Sequence, residues 1–129
     1  MILVDTSAWV DFFRGRGRFA SRVDELIEVD QAALCGPVIT EIRRGLRFKG
    51  ERVRVLPLLE GCHLLAQPPD LWDEAGELGG WLRRRGATVK SLDLLIATYA
   101  LAHGVPLLAA DSDFNLMARA GLGLVLAEP

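Results

Sequence analysis

SLDLLIATYALAHGVPLLAADSDF, residues 91–114, is the stretch that decides the architecture. Ser91 is placed to cap a helix over residues 92–102, and the His103-Gly104 pair closes it, glycine being the residue that accepts a left-handed C-terminal cap. Pro106 to Ala110 is then a short, unbroken apolar run, the pattern of a strand buried on both faces, and it stops at Asp111. A second helix is expected over Asp113–Ala120. A helix feeding a buried strand that ends on an acid is the grammar of an α/β protein.

Outward from that stretch the same grammar recurs. At the N-terminus, Ile2–Val4 is an apolar run that stops at Asp5, and Thr6 or Ser7 can cap a helix carrying Trp9, Val10 and Phe13. Arg14–Arg18, with two glycines, is a loop. Phe19–Val29 is an amphipathic helix with Val23, Leu26 and Ile27 on one side, and Ala32–Cys35 a second short strand. Gly36-Pro37 opens a helix running to about Phe48, with proline in the tolerated first turn. Glu51–Glu60 is a further helix, His63–Leu65 a strand, Pro68-Pro69-Asp70 a stop and cap, and Leu71–Arg85 a long helix ended by Gly86. Leu122–Leu126 is expected as a last strand. Strands separated by helices imply a three-layer α/β/α sandwich with a mainly parallel central sheet, in one domain over residues 1–129.

Bulk composition narrows the function. With 129 residues, half of them hydrophobic, the chain has ample material for a core, and disorder is excluded. A formal charge of −2 argues against coating nucleic acid by bulk electrostatics but leaves local grip open. The basic residues are nearly all arginine and come in clusters: Arg14, Arg16, Arg18 and Arg22; Arg43, Arg44 and Arg47; Arg52 and Arg54; Arg83, Arg84 and Arg85. Each cluster fits either bidentate phosphate contacts or a solvated helix face. Cys35 and Cys62, outside any metal-binding spacing, fit a disulfide or, as expected in a reducing cytosol, buried free thiols. The acid at position five comes too early for a signal peptide, and no apolar run approaches the length of a membrane span, so a cytoplasmic protein is expected.

The acids stand in unusual places. Asp5 and Asp111 each end an apolar strand at its carboxyl edge, where open α/β sheets bind ligands. Asp93 shares a helix row with Ile96, Ala97 and Ala100, and Glu41 a row with Val38, Gly45 and Phe48. Taken singly, Asp5 also fits a helix cap, Asp93 a helix-dipole acid, Glu41 a surface acid, and Asp111 with Asp113 a turn and N-cap. Taken together, buried carboxylates need a counter-charge, and an oxygen-only set without histidine or cysteine favours Mg²⁺ or Mn²⁺. Lys90 and the arginines can neutralise one or two of them. His63 and His103 have no catalytic partner at any informative spacing.

Three stretches, MILVDTSAWVDFFRG, PVITEIRRGL and SLDLLIATYALAHGVPLLAADSDF, resemble in order and spacing the PIN-domain family, specifically the VapC-type toxins of toxin–antitoxin pairs. The resemblance puts the family's four acids on Asp5, Glu41, Asp93 and Asp111, with Asp113 matching an additional acid of many members. It implies an endoribonuclease using one or two Mg²⁺ or Mn²⁺ ions, with water attack leaving a 5′-phosphate and a 3′-hydroxyl. Asp5 and Asp93 are then the direct metal ligands, and Glu41 and Asp111 complete the shell in part through waters. Asp113 joins the metal set or caps its helix, and Thr6 or Ser7 orients a water or ligand. The resemblance further implies a homodimer, an RNA substrate and an antitoxin whose C-terminal segment fills the groove, often presenting an arginine. Trp9, Phe12, Phe13 and the Leu46/Phe48 edge offer apolar surface near the acids or belong to the core; Trp72 and Trp81 line a dimer interface or the core. Ala109-Ala110 departs from the family, where a threonine is common before the fourth acid.

Three rivals remain on the sequence alone. An RNA-processing enzyme or DNA nuclease would keep the site and change the substrate. A receiver-type signalling module needs paired acids after the first strand and a late strand-end lysine, which Thr6 and the residues after Asp111 do not supply. A partner-binding module that has lost catalysis is disfavoured by the presence of all four acids.

Overall fold

The computed structural model describes residues 1–47 and 49–129. In chain order the elements are β1 (Ile2–Val4), α1 (Thr6–Arg14), α2 (Ala20–Glu28), β2 (Ala32–Leu34), α3 (Gly36–Gly45), α4 (Lys49–Glu60), β3 (His63–Leu64), α5 (Leu71–Arg84), α6 (Ser91–His103), β4 (Leu107–Leu108) and α7 (Ser112–Arg119). The strands form a parallel sheet in the order β3-β2-β1-β4, with Leu3 of β1 facing Ala33 on one side and Leu107 on the other.

That order follows from the chain's path. From β1 the chain steps outward to β2 and β3, then crosses back to lay β4 against the other side of β1. Crossovers of parallel strands are right-handed, so reversing direction puts helices on both faces and gives an α/β/α sandwich. The reversal also makes a switch point between β1 and β4, and a crevice opens there beyond the carboxyl ends of the strands. Asp5 follows β1 and Asp111 lies just beyond β4.

The core lies along the inner strands. Leu3, Val4, Ala33, Leu107 and Leu108 are wholly buried. Helix α6 packs most extensively on α5 and buries Asp93, Ile96, Ala97, Thr98, Tyr99 and Ala100. A single amphipathic stripe cannot account for a helix buried on so many sides. Gly104 closes it at φ +62°, a left-handed conformation that glycine adopts without steric cost.

Several local expectations change. Residues 122–126 form no strand; Leu126 makes one parallel bridge to Leu107, with flanking hydrogen bonds from Leu107 N to Val125 O and Ala127 N to Leu107 O. Gly121 and Gly123, both at positive φ, break the extended geometry that a longer pairing needs. The cap of α1 is Asp5, not Thr6 or Ser7, and the cap position of α6 is Lys90, with Ser91 already inside the helix. The cap of α7 is Asp111, so Asp113 is an ordinary first-turn residue whose N–H Asp111 accepts. Helix α3 ends at Gly45; the part of that expected helix that fell on Phe48 lies outside the described residues. His103 is the basic residue of the last turn of α6, before the Gly104 cap; its Nε2 lies 2.7 Å from Ala66 O, and its ring stacks on Tyr99.

The cysteines and the aromatic side chains divide between core and surface. Cys35 and Cys62 are free thiols, the first buried and the second half-buried. Trp9 is core, while Phe12 and Phe13 are half-buried against it with ring centroids 5.9 and 5.6 Å away. Trp81 is half-buried beneath the Arg85 guanidinium, and Trp72 is exposed. Among the described residues no helix is long and apolar enough to cross a membrane.

Candidate active site

A cleft of about 560 Å³ opens at the carboxyl edge of the sheet, lined by Asp5, Glu41, Asp93 and Asp111 together with Lys90 and Arg44. Three different elements deliver the acids: the β1–α1 corner, helix α3 and the first turn of α6, with Asp111 on the loop after β4.

Asp5 is 4% exposed. As the cap of α1 its Oδ2 accepts from Ser7 N at 3.0 Å and from Ser7 Oγ at 2.5 Å. Burial holds its pKa above the ordinary carboxylate value; the Ser7 bonds pull it back and nearby Glu41 raises it again. Ser7 does more than donate. Its Oγ accepts the Ala110 N–H at 2.9 Å, which ties the loop after β4 to the end of β1. Thr6 donates its hydroxyl to Glu41 Oε1 at 2.9 Å across 35 residues of sequence. Both hydroxyls therefore orient carboxylates in this structure, where the sequence suggested orientation of a water or ligand.

The other side of the cleft is built differently. Asp93, Asp111 and Asp113 each offer a carboxylate oxygen, and these atoms lie within 4.8 Å of one another. Asp111 Oδ1 accepts from Asp113 N at 2.9 Å, and Oδ2 accepts from Lys90 Nζ at 3.2 Å. Those contacts, the Asp113 backbone bond first, hold the Asp111 pKa below the ordinary value. Asp93 has the opposite fate. It is 6% exposed, its Oδ2 is buried with no hydrogen-bond partner, and Lys90 Nζ stands 3.8 Å off. Burial, followed by hydrogen bonding to Asp113 and repulsion from Asp111, pushes its pKa up to about 7.

A buried carboxylate with an unpartnered oxygen, grouped with two further acids, is what a cation ligand looks like without its cation. The donor set is oxygen only, which suits Mg²⁺ or Mn²⁺ rather than zinc. The residues present thus fit a divalent ion. Asp113, the weakest candidate on sequence grounds, sits inside the acidic group. Asp5 and Glu41 line the same cleft but lie outside that group, Asp5 near enough to Asp93 to raise its pKa.

Two neighbours had little sequence signal. Lys90 is three residues before Asp93, a spacing that brings side chains together on a helix, and that much was available to find it. Arg44 lines the cleft from α3, but nothing in its cluster separated it from Arg43 or Arg47. Those two have separate surroundings: Arg47, with Arg14 and Arg54, borders an adjoining groove of about 430 Å³ that shares Thr6, Val10 and Glu41 with the cleft.

The PIN domain profile matches residues 2–120. The chain is 37% identical over 125 residues to ribonuclease VapC11 of Mycobacterium tuberculosis, covering 92% of each, and equally similar to a VapC ribonuclease of Mycobacterium bovis. Among solved structures, VapBC2 of Rickettsia felis bound to promoter DNA superposes with a TM-score of 0.78 at 19% identity, covering 99% of this chain and 98% of that one. The sarcin–ricin loop cleaving toxin VapC20 of Mycobacterium tuberculosis superposes at 0.68 with 21% identity and 100% coverage of both chains. At such identities the structural likeness attests the fold alone.

Proposed function

The chain belongs to the PIN-domain family, in its VapC branch, and from that premise we propose that it is a metal-dependent endoribonuclease acting as the toxin of a toxin–antitoxin pair. It would work as a single nuclease domain over residues 1–129, in the cytoplasm, as a homodimer held in check by a cognate antitoxin. Solved VapBC complexes among its structural neighbours and the ribonuclease names of its relatives support that reading. The observation that carries the chemistry is Asp93, whose Oδ2 is buried and unpartnered and which offers a carboxylate oxygen within 4.8 Å of oxygens of Asp111 and Asp113.

Asp93, Asp111 and Asp113 would hold the ion, with Asp5 and Glu41 completing the shell. A bound Mg²⁺ or Mn²⁺ would lower the pKa of an attacking water and stabilise negative charge on the phosphodiester. The protein's own contribution is position. Ser7 fixes the Asp5 carboxylate and Thr6 fixes Glu41, so both acids face the cleft without rotamer search. Arg44, on the rim, is suited to a non-bridging phosphate oxygen. Asp93, neutral in part near pH 7 without the ion, would give up its proton on loading.

The test is cleavage of a panel of structured RNAs by wild type and Asp5→Asn in Mg²⁺, Mn²⁺ or EDTA. Metal-dependent cutting that leaves a 5′-phosphate, lost in the variant, is expected. Cutting in EDTA, or full activity of the variant, would overturn the mechanism; a preference for DNA would move the protein to the nuclease alternative. Growth arrest on expression, relieved by Asp5→Asn and by co-expression of a small protein encoded beside it, would establish the toxin.

A further inference from the structure

Lys90 is the wrong residue for its place in the helix. It occupies the N-cap of α6, where Ser, Thr, Asp or Asn would satisfy the free backbone N–H groups, and it provides no side-chain cap bond. A cation there also opposes the positive end of the helix dipole. What Lys90 meets instead is the acidic group. Its ammonium lies 3.2 Å from Asp111 Oδ2 and 3.8 Å from Asp93 Oδ2, and its backbone N–H points to Asp113 Oδ2 at 3.5 Å. One residue reaches all three acids whose oxygens lie within 4.8 Å of one another.

The fit is incomplete. The approach to Asp93 Oδ2 is too long for a hydrogen bond, so that buried oxygen is left without a donor from Lys90. Meanwhile the Lys90 side chain is 70% exposed and stands outside the helix proper, free to swing into solvent without disturbing the turn behind it. We infer that Lys90 is an internal counter-ion: its ammonium takes the cation position between Asp93 and Asp111 in the metal-free protein and is exchanged for the divalent ion on loading. The inference rests on the metal-dependent reading of the same site. It explains how a fold that gathers acids at one edge stays compact before an ion arrives. It also makes metal affinity a property that Lys90 tunes downward.

The test uses the full chain, metal-free, with no RNA present. Mn²⁺ titrations followed by calorimetry and by electron paramagnetic resonance compare wild type, Lys90→Met and Lys90→Arg. Losing the competing cation should tighten Mn²⁺ binding about tenfold in Lys90→Met, while Lys90→Arg, which keeps the charge, stays near wild type. Ammonium ¹⁵N spectra of the wild type supply a second readout that needs no variant to fold. Lys49 and Lys90 are the chain's lysines, so assignment is simple. The Lys90 signal should shift on Mg²⁺ saturation as its bond to Asp111 breaks, and the Lys49 signal should not. Unchanged or weaker Mn²⁺ binding in Lys90→Met, an unmoved Lys90 signal at saturation, or no metal binding by any of the three proteins would overturn the exchange. A chain that binds and exchanges the ion but cuts no RNA would retract the ribonuclease and leave this inference standing.

Discussion

The two groups of acids in the cleft manage negative charge by opposite means. On one side, Asp5 and Glu41 each receive a hydroxyl from the start of α1, Ser7 for the first and Thr6 for the second. On the other side, Asp93, Asp111 and Asp113 crowd together, and one of them keeps a buried oxygen without a donor. The first side is satisfied by fixed dipoles that cost nothing to reorganise; the second is left to be satisfied by a mobile charge, Lys90 or a metal ion. A cleft built this way is rigid where it positions and open where it binds.

The comparison is broken most directly by removing an acid from the open side. Asp93→Asn should lower RNA cleavage at least about 100-fold, since even outer partners of metal ligands are worth 10–100-fold. It should also weaken Mn²⁺ binding in calorimetry while the protein stays folded. If Asp93→Asn spared metal binding and Asp5→Asn abolished it, the division between the two sides would be reversed.

Ser7→Ala sharpens the other half. Asp5 would lose its hydroxyl donor and the Ala110 N–H its acceptor, so the loop after β4 would be tied to the end of β1 only through the backbone bond from Asp5 N to Leu108 O. Cleavage should fall about 10–100-fold with Mn²⁺ affinity nearly kept, and urea unfolding should register a loss of about 1 kcal/mol. Equal losses in affinity and turnover would mean that the rigid side holds the ion as well.

How much of this could be read beforehand differs between the sides in the same way. The α/β order, the strand-end positions of Asp5 and Asp111 and the buried row under Asp93 all follow from local pattern, because apolar runs and helix periodicity are short-range signals. The hydroxyls beside Asp5 were visible too, but their partners were not: Thr6 reaches Glu41 and Ser7 reaches Ala110 only once the sheet has formed. Asp113 looked like a cap because spacing alone cannot distinguish it from Asp111; the backbone gives the cap to Asp111 and leaves Asp113 turned toward Asp93. The expected last strand shrinks to a single bridge because a run of leucines and valine carries the β signal while Gly121 and Gly123 break the extended geometry.

Acidity separates the two sides in stability as well. The pKa of Asp93 is raised in the folded chain to about 7 from 3.8, so the folded form holds its proton over a range where the unfolded form has lost it. That stabilisation is complete below about pH 4 and drains away as pH rises through 7. In EDTA, the melting temperature of Asp93→Asn should therefore pull ahead of wild type by several degrees between pH 4 and 7 and hold a constant lead above that. Saturating Mg²⁺ at pH 8 should erase the lead. A flat difference across the range would mean that Lys90 alone already neutralises the acid.

The smallest effect belongs to Thr6→Val, and its size is informative. Glu41 is only half-buried, so water can replace the lost hydroxyl and stability should drop by no more than about 0.5–1 kcal/mol. Cleavage should fall only a few-fold, because a glutamate that reaches the ion through water tolerates some freedom. If Thr6→Val instead matched Ser7→Ala in its effect on cleavage, Glu41 would have to touch the ion directly. The fixed side of the cleft would then be a second binding side rather than a frame for the first.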